Sequence, residues 1–194
     1  MNSKKEKINV RDIITIAISY VIMFIIYVVV GMPLSASVYG HLFILSISAL
    51  IWGSVFMFLY ARINKNGVAL TLGILMALSN LINFWLISVA ILIGAIITEL
   101  IWRKLDKKKF STMMLCFTVQ IVAWFMGMVI PFFIMTETYI NTFVGFEDVY
   151  RGMADMIIGP IFAVYLATTI TGCIIGSFIG KAVLKKHFIK AGIV

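Results

Sequence analysis

Apolar runs long enough to cross a bilayer alternate with short polar breaks along this chain. A spanning helix takes about 20 apolar residues, within roughly 17 to 25. By that measure the runs at 12–31, 38–60, 66–82, 84–102, 110–135 and 157–180 predict six transmembrane helices. The third and fourth are tight, because they form one apolar stretch broken only by Ser79, Asn80 and Asn83. A sharp turn there gives two short helices; one long helix or a re-entrant piece is the alternative. The expected fold is an all-α membrane protein forming a single integral domain over residues 1–194.

Composition sharpens this picture. Of the 194 residues 62% are apolar, with a mean hydropathy of +1.10. A soluble domain is nearer half apolar. Lys4, Lys5, Lys7 and Arg11 precede the first run in the manner of a signal peptide. The run from Ile13 to Val30 is nevertheless long enough to span, and no small-residue cleavage site is evident near Pro33, so a retained first helix is expected. Cys116 and Cys173 both lie in apolar runs and form no CxxC pair, so neither zinc nor redox chemistry follows.

Charge sets the orientation. The formal net charge is +8, and a basic balance can signal nucleic acid. Its distribution gives a better explanation. Lys and Arg gather in cytoplasmic loops of membrane proteins. Here they gather in the N-terminal tail, at Arg62 and Lys65, in the cluster 103–109, and at Lys181, Lys185, Lys186 and Lys190. Those alternate connections hold every basic residue except Arg151. The intervening connections, 32–37, 79–83 and 136–156, carry Glu137, Glu147, Asp148 and Asp155. Six helices with both termini cytoplasmic account for every charged loop, and no nucleic-acid partner is needed.

Several positions inside the runs are candidates for function. Gly172, Gly176 and Gly180 form a stripe of small residues at four-residue spacing, with Thr168 one step earlier. Such a stripe lets helices approach closely in lipid, either within the chain or against a partner. Glu99 is the acidic residue clearly inside an apolar run, and intramembrane charges are functional candidates by default. An ion pair with Arg103 at i,i+4 is the simpler account. At 1.5 Å per residue from Phe110, Gln120 lies about 15 Å deep, with Trp124 and Met128 on the same face. That stripe either lines a cavity or packs against a neighbouring helix.

The exterior side collects possible ligand contacts. They are His41, Asn80, Asn83 and Trp85, with Tyr139, Asp148, Tyr150 and Arg151 in the long connection 136–156. Long loops are often lids or binding loops. No HExxH, GxSxG or intramembrane aspartate pair is present, so no enzyme, metal or cofactor is expected. Gly176 to Ala182 falls short of a phosphate loop, by one residue in spacing and by Ala182 in place of Ser or Thr. No obvious inverted repeat of the kind found in secondary transporters links the halves.

Local stretches throughout the chain carry a family resemblance. Val10-Arg11-Asp12 opens the first helix and Gly31-Met32-Pro33 closes it. Residues 61–67, Ala-Arg-Ile-Asn-Lys-Asn-Gly, form the second cytoplasmic turn, and Gly94 to Glu99 leads into a basic cluster. The tail from Lys186 through His187 to Val194 is the most specific stretch. Together with the length and layout, these resemble the substrate-binding S components of energy-coupling-factor (ECF) transporters, and within them the MptD or Trep_Strep family. The family's Gly-His-Gly-Trp-like element at the 3–4 turn is reduced here to Trp85, with Asn80 and Asn83 nearby.

The resemblance implies capture of a small organic nutrient, such as a vitamin, outside the cell. The S component would then dock on a membrane coupling protein, the T component, driven by two cytoplasmic ATPases. It also implies docking through the small residues of the first helix, Thr15, Ala17 and Ser19. Two readings from other classes stay open: an assembly subunit that binds no solute, and an autonomous carrier.

Overall fold

A computed structural model describes residues 7–157 and 159–189, with side chains through Lys186. Lys4, Lys5, Lys190, the rest of the terminal stretch and the His187 side chain lie outside the described residues. Every regular element described is helical. Five helices are long and apolar enough to cross a membrane: α1 (Val10–Leu34), α2 (Val38–Arg62), α4 (Trp85–Lys104), α5 (Phe110–Val129) with its extension α6 (Pro131–Ile134), and α9 (Ile161–Val183). α3 (Val68–Asn80) is the exception. Its 13 residues reach about 20 Å at 1.5 Å each, against a hydrocarbon core of about 30 Å. The full-length span expected at 66–82 is therefore shortened. The turn at 81–83 separates α3 from α4, so the single long helix is excluded.

The helix ends follow local chemistry. Asn9 caps α1 in a reciprocal box: its side chain accepts from the Asp12 N–H and the Asp12 carboxylate accepts from the Asn9 N–H, both at 2.9 Å. The Ser37 hydroxyl accepts from the Gly40 N–H at 3.0 Å and starts α2. Gly67 starts α3 at φ +98°, a left-handed conformation that side-chained residues rarely adopt. Pro131 lacks an N–H and breaks the fifth run into α5 and the single turn α6. The long connection is not an open loop. It folds into α7 (Thr136–Thr142) and α8 (Glu147–Ile157), and the last span starts at Ile161, after Pro160, rather than at 157.

Close backbone approach holds the bundle together. A Cβ placed on Gly176 would lie 2.2 Å from the Ala49 carbonyl oxygen. One on Gly172 would lie 2.5 Å from the Ser46 oxygen, and one on Gly180 2.5 Å from the Gly53 oxygen. The glycine stripe of α9 is thus laid against Ser46, Ala49 and Gly53 of α2. This decides between its two readings: these three glycines are covered within the chain, and the partner-docking assignment for them is corrected. In lipid, where hydrophobic burial does not drive association, such contact supplies the packing. Gly73 against Ala95 and Gly94 against Ala123 do the same among α3, α4 and α5.

The basic end is tied by polar contacts. The buried Glu99 carboxylate accepts from Arg103 Nε at 2.6 Å and from the Gly67 N–H at 2.6 Å. It therefore forms the expected i,i+4 pair and also satisfies an amide at the start of α3. Lys65 pairs with Asp12 at 2.9 Å, and Trp102 Nε1 donates to the Lys65 carbonyl at 2.9 Å.

Candidate ligand cavity

At the opposite end of the bundle the helix ends diverge around a cavity of about 210 Å³. α1 contributes Tyr27, and the first turn of α2 contributes His41. The end of α3 brings Asn80, with Asn83 just beyond it, and α5 brings Trp124 and Met128. α7, α8 and the turn between them lie over these with Tyr139, Phe143, Phe146 and Tyr150. The lid seats because Tyr150, Met153, Ala154 and Ile157, spaced as one face of a helix, are all buried. Gly152 brings α8 close to α2: a Cβ there would meet Val38 at 2.8 Å.

Aromatic faces form the walls. Trp124 stacks on Trp52 at 5.3 Å and 17°, and Tyr27 lies 5.4 Å from Trp124. Trp52 is anchored by its Nε1, which donates to the Met23 carbonyl at 2.8 Å. In the lid, Phe143 and Tyr150 stack at 4.0 Å and 11°. Tyr139 stands edge-on to both.

Polar groups are few and neutral. The Tyr150 hydroxyl and His41 Nε2 are 3.2 Å apart, and the imidazole meets the phenol ring edge-on. His41 is 8% exposed, and its Nδ1 meets no partner at hydrogen-bonding geometry. Asn80 Nδ2 donates to the Met76 carbonyl at 2.8 Å, while Asn80 Oδ1 accepts from Asn83 at 3.3 Å. Burial, with the nearby phenols of Tyr27 and Tyr165, pushes the Tyr150 hydroxyl well above the usual phenol range. Tyr139 is raised for the same first reason and then by Tyr150. Among the described residues, no Asp, Glu, Lys or Arg lines the cavity.

Six of the residues expected to contact ligand line this space: His41, Asn80, Asn83, Trp124, Tyr139 and Tyr150. The other four lie elsewhere. Trp85 is 50% exposed on the outer surface. Gln120 is buried among α3, α4 and α5, with its Nε2 donating to the Ile91 carbonyl at 3.3 Å. Of its two readings, packing against a neighbouring helix is the one found. Asp148 is exposed on the lid, and Arg151 pairs outward with Glu137 at 3.1 Å. Tyr27, Phe143 and Phe146 were not anticipated. Tyr27 is masked by the apolar run around it, whereas the i, i+3, i+4, i+7 spacing of α8 was available as a signal for the lid.

Thr15 and Ser19 line a separate groove of about 330 Å³ near the basic end, with Ile18, Ile22, Ser54 and Phe58. Ala17, between them, is partly buried. α1 is the least enclosed of the long helices, since only Ile16, Ser19, Met23 and Gly31 on it are buried.

Fold and site together define a multi-pass membrane protein with an aromatic-walled cavity at one end. The chain belongs to the Trep_Strep family of hypothetical bacterial integral membrane proteins, whose model matches residues 10–190. No curated protein and no solved structure matches it.

Proposed function

We propose that this chain is the substrate-binding S component of an ECF-type importer. It crosses the membrane six times, with α3 as a short crossing and both ends in the cytoplasm. It captures a small organic nutrient outside the cell and releases it through a membrane coupling protein worked by two ATPases. The observation that carries this reading is the position of the cavity. It opens at the end of the bundle opposite Lys65, Arg103 and the cluster 107–109. With those basic turns in the cytoplasm, the cavity faces outside.

Two further features support it. The cavity is roofed by α7 and α8 at one end of the bundle, which suits capture better than autonomous conduction. The glycine stripe is used up inside the chain, which removes the feature that favoured an assembly subunit. The incompletely covered α1, with its groove at Thr15 and Ser19, is the face offered to the coupling protein.

Native mass spectrometry of the chain taken gently from its host membrane tests the proposal. The expected result is one bound small molecule per chain, and co-purification of a membrane partner with ATPases. Solute uptake into vesicles that contain this chain alone would overturn it.

A further inference from the structure

Resting on that reading, we infer that the ligand buries an uncharged, flat heteroaromatic ring of one or two fused rings between Trp124 and the Phe143–Tyr150 pair. Its ring heteroatoms are met by His41, Tyr150 and Asn83.

Size comes first. The cavity is about 210 Å³. That is below the ~300 Å³ at which pockets for drug-sized ligands begin. A small ring system fits inside, and anything larger projects through the mouth.

Shape follows from the walls. Trp124, Tyr27 and the stacked Phe143–Tyr150 pair border the space, with Trp52 stacked behind Trp124. Their flat faces favour offset stacking with another π-system over contact with a branched aliphatic body.

Charge is decided by what the lining lacks and what it leaves free. An ion taken out of water needs a counter-charge or a dense set of hydrogen bonds. The lining described offers no fixed charge of either sign. It does offer neutral donors and acceptors that are only partly used. His41 Nδ1 is buried with the Ser35 backbone beside it but outside good hydrogen-bond geometry. Asn83 is exposed at the mouth, with its amide nitrogen donating to Asn80 and its side-chain oxygen turned to no donor among the described residues. A neutral ring with one donor and one or two acceptors complements this set. The carboxylates of Glu147 and Asp148 belong to the lid, outside the lining. A charged substituent on the ligand is therefore tolerated only where it projects out of the mouth.

The experiment joins identification to matched probes, with the full chain in lipid nanodiscs. The compound retained on native purification is identified by mass spectrometry. Separately, nicotinamide is compared with 1-methylnicotinamide, and isoquinoline with N-methylisoquinolinium, whose rings themselves carry the charge, by thermal shift and by competition for the retained compound. A retained neutral ring compound, with each neutral probe at least 30-fold stronger than its ionised counterpart, is the expected result. A retained compound that is acyclic, or whose buried ring carries the charge, overturns this inference and leaves nutrient capture standing. Equal binding of both members of each pair does the same. No retained compound and no stabilisation by any probe overturns nutrient capture, and this inference with it.

Discussion

Replacing Gly176 by alanine tests the contact on which the bundle rests. The added methyl group would stand 2.2 Å from the Ala49 oxygen and 3.1 Å from the Leu50 Cα. Both are backbone atoms, so no side chain can rotate away. Restoring an ordinary 3.4 Å contact moves α9 from α2 by about 1.2 Å. A gap of that size forfeits much of the dispersion energy along the seam. Overpacking of this kind costs about 2–3 kcal/mol. For a chain of 194 residues that corresponds to a Tm loss of roughly 4–12 °C. Cys116 and Cys173 are both fully buried and serve as reporters. Their reaction with a thiol-specific dye during heating in detergent follows unfolding without any added label. Gly31→Ala is the control, because a Cβ there meets only Ile44 side-chain atoms at 3.7 and 3.8 Å. Its melting temperature should stay level or rise slightly. If Gly176→Ala melts within 2 °C of the parent, α2 and α9 are not in the close contact described.

Other outcomes follow from the cavity and the basic end. Tyr150→Phe removes the hydroxyl partner of His41 and Trp124→Ala removes a wall, so each should weaken ligand binding about tenfold or more by calorimetry; unchanged affinity in both would put the ligand elsewhere. Asp148→Ala, on the exposed face of the lid, should leave affinity within twofold. Glu99→Ala strands the Gly67 amide and the Arg103 guanidinium and should cost about 2–3 kcal/mol in thermal stability, with Glu99→Gln losing roughly half as much. The phenols of Tyr139 and Tyr150 are raised above their usual value of 10, so the folded state holds their protons more tightly than the unfolded chain. Their contribution to stability is complete below pH 10 and declines above it; Tyr150→Phe should make that alkaline decline in melting temperature shallower. Cysteine introduced at Val144 should react with an impermeant reagent from outside the cell and at Lys108 only from inside; the reverse pattern would invert the proposed topology.

The spans were legible because a period of helix that faces lipid needs no more than sustained hydropathy. The glycine stripe was legible too, but not its partner. Ser46, Ala49 and Gly53 sit in an unremarkable apolar run, and only the fold brings them opposite Gly172, Gly176 and Gly180. Depth arithmetic put Gln120 and Trp124 on one face, yet a single helical turn separates the packed interface from the cavity. Tyr27 was invisible for a related reason: a tyrosine within an apolar run looks the same whether it faces lipid or a cavity. The lid was under-read. A polar segment with few long apolar stretches suggests a loop, although its buried Tyr150, Met153, Ala154 and Ile157 trace a helix face.

The brevity of α3 gives the molecule a thin flank. Its outer face is still apolar, with Ile74 and Leu78 exposed on it and Leu81 and Ile82 exposed in the turn that follows. In the proposed six-crossing arrangement, lipid beside it would meet a wall about 10 Å shorter than the ~30 Å hydrocarbon core, whereas the 25 residues of α2 exceed that core. The bilayer must thin on one side, or the body must lean toward it. Rotation about an axis in the membrane plane is thus not equally hard in all directions. Membranes of longer acyl chains should increase the lean, so bilayer thickness itself becomes a variable acting on how this protein stands.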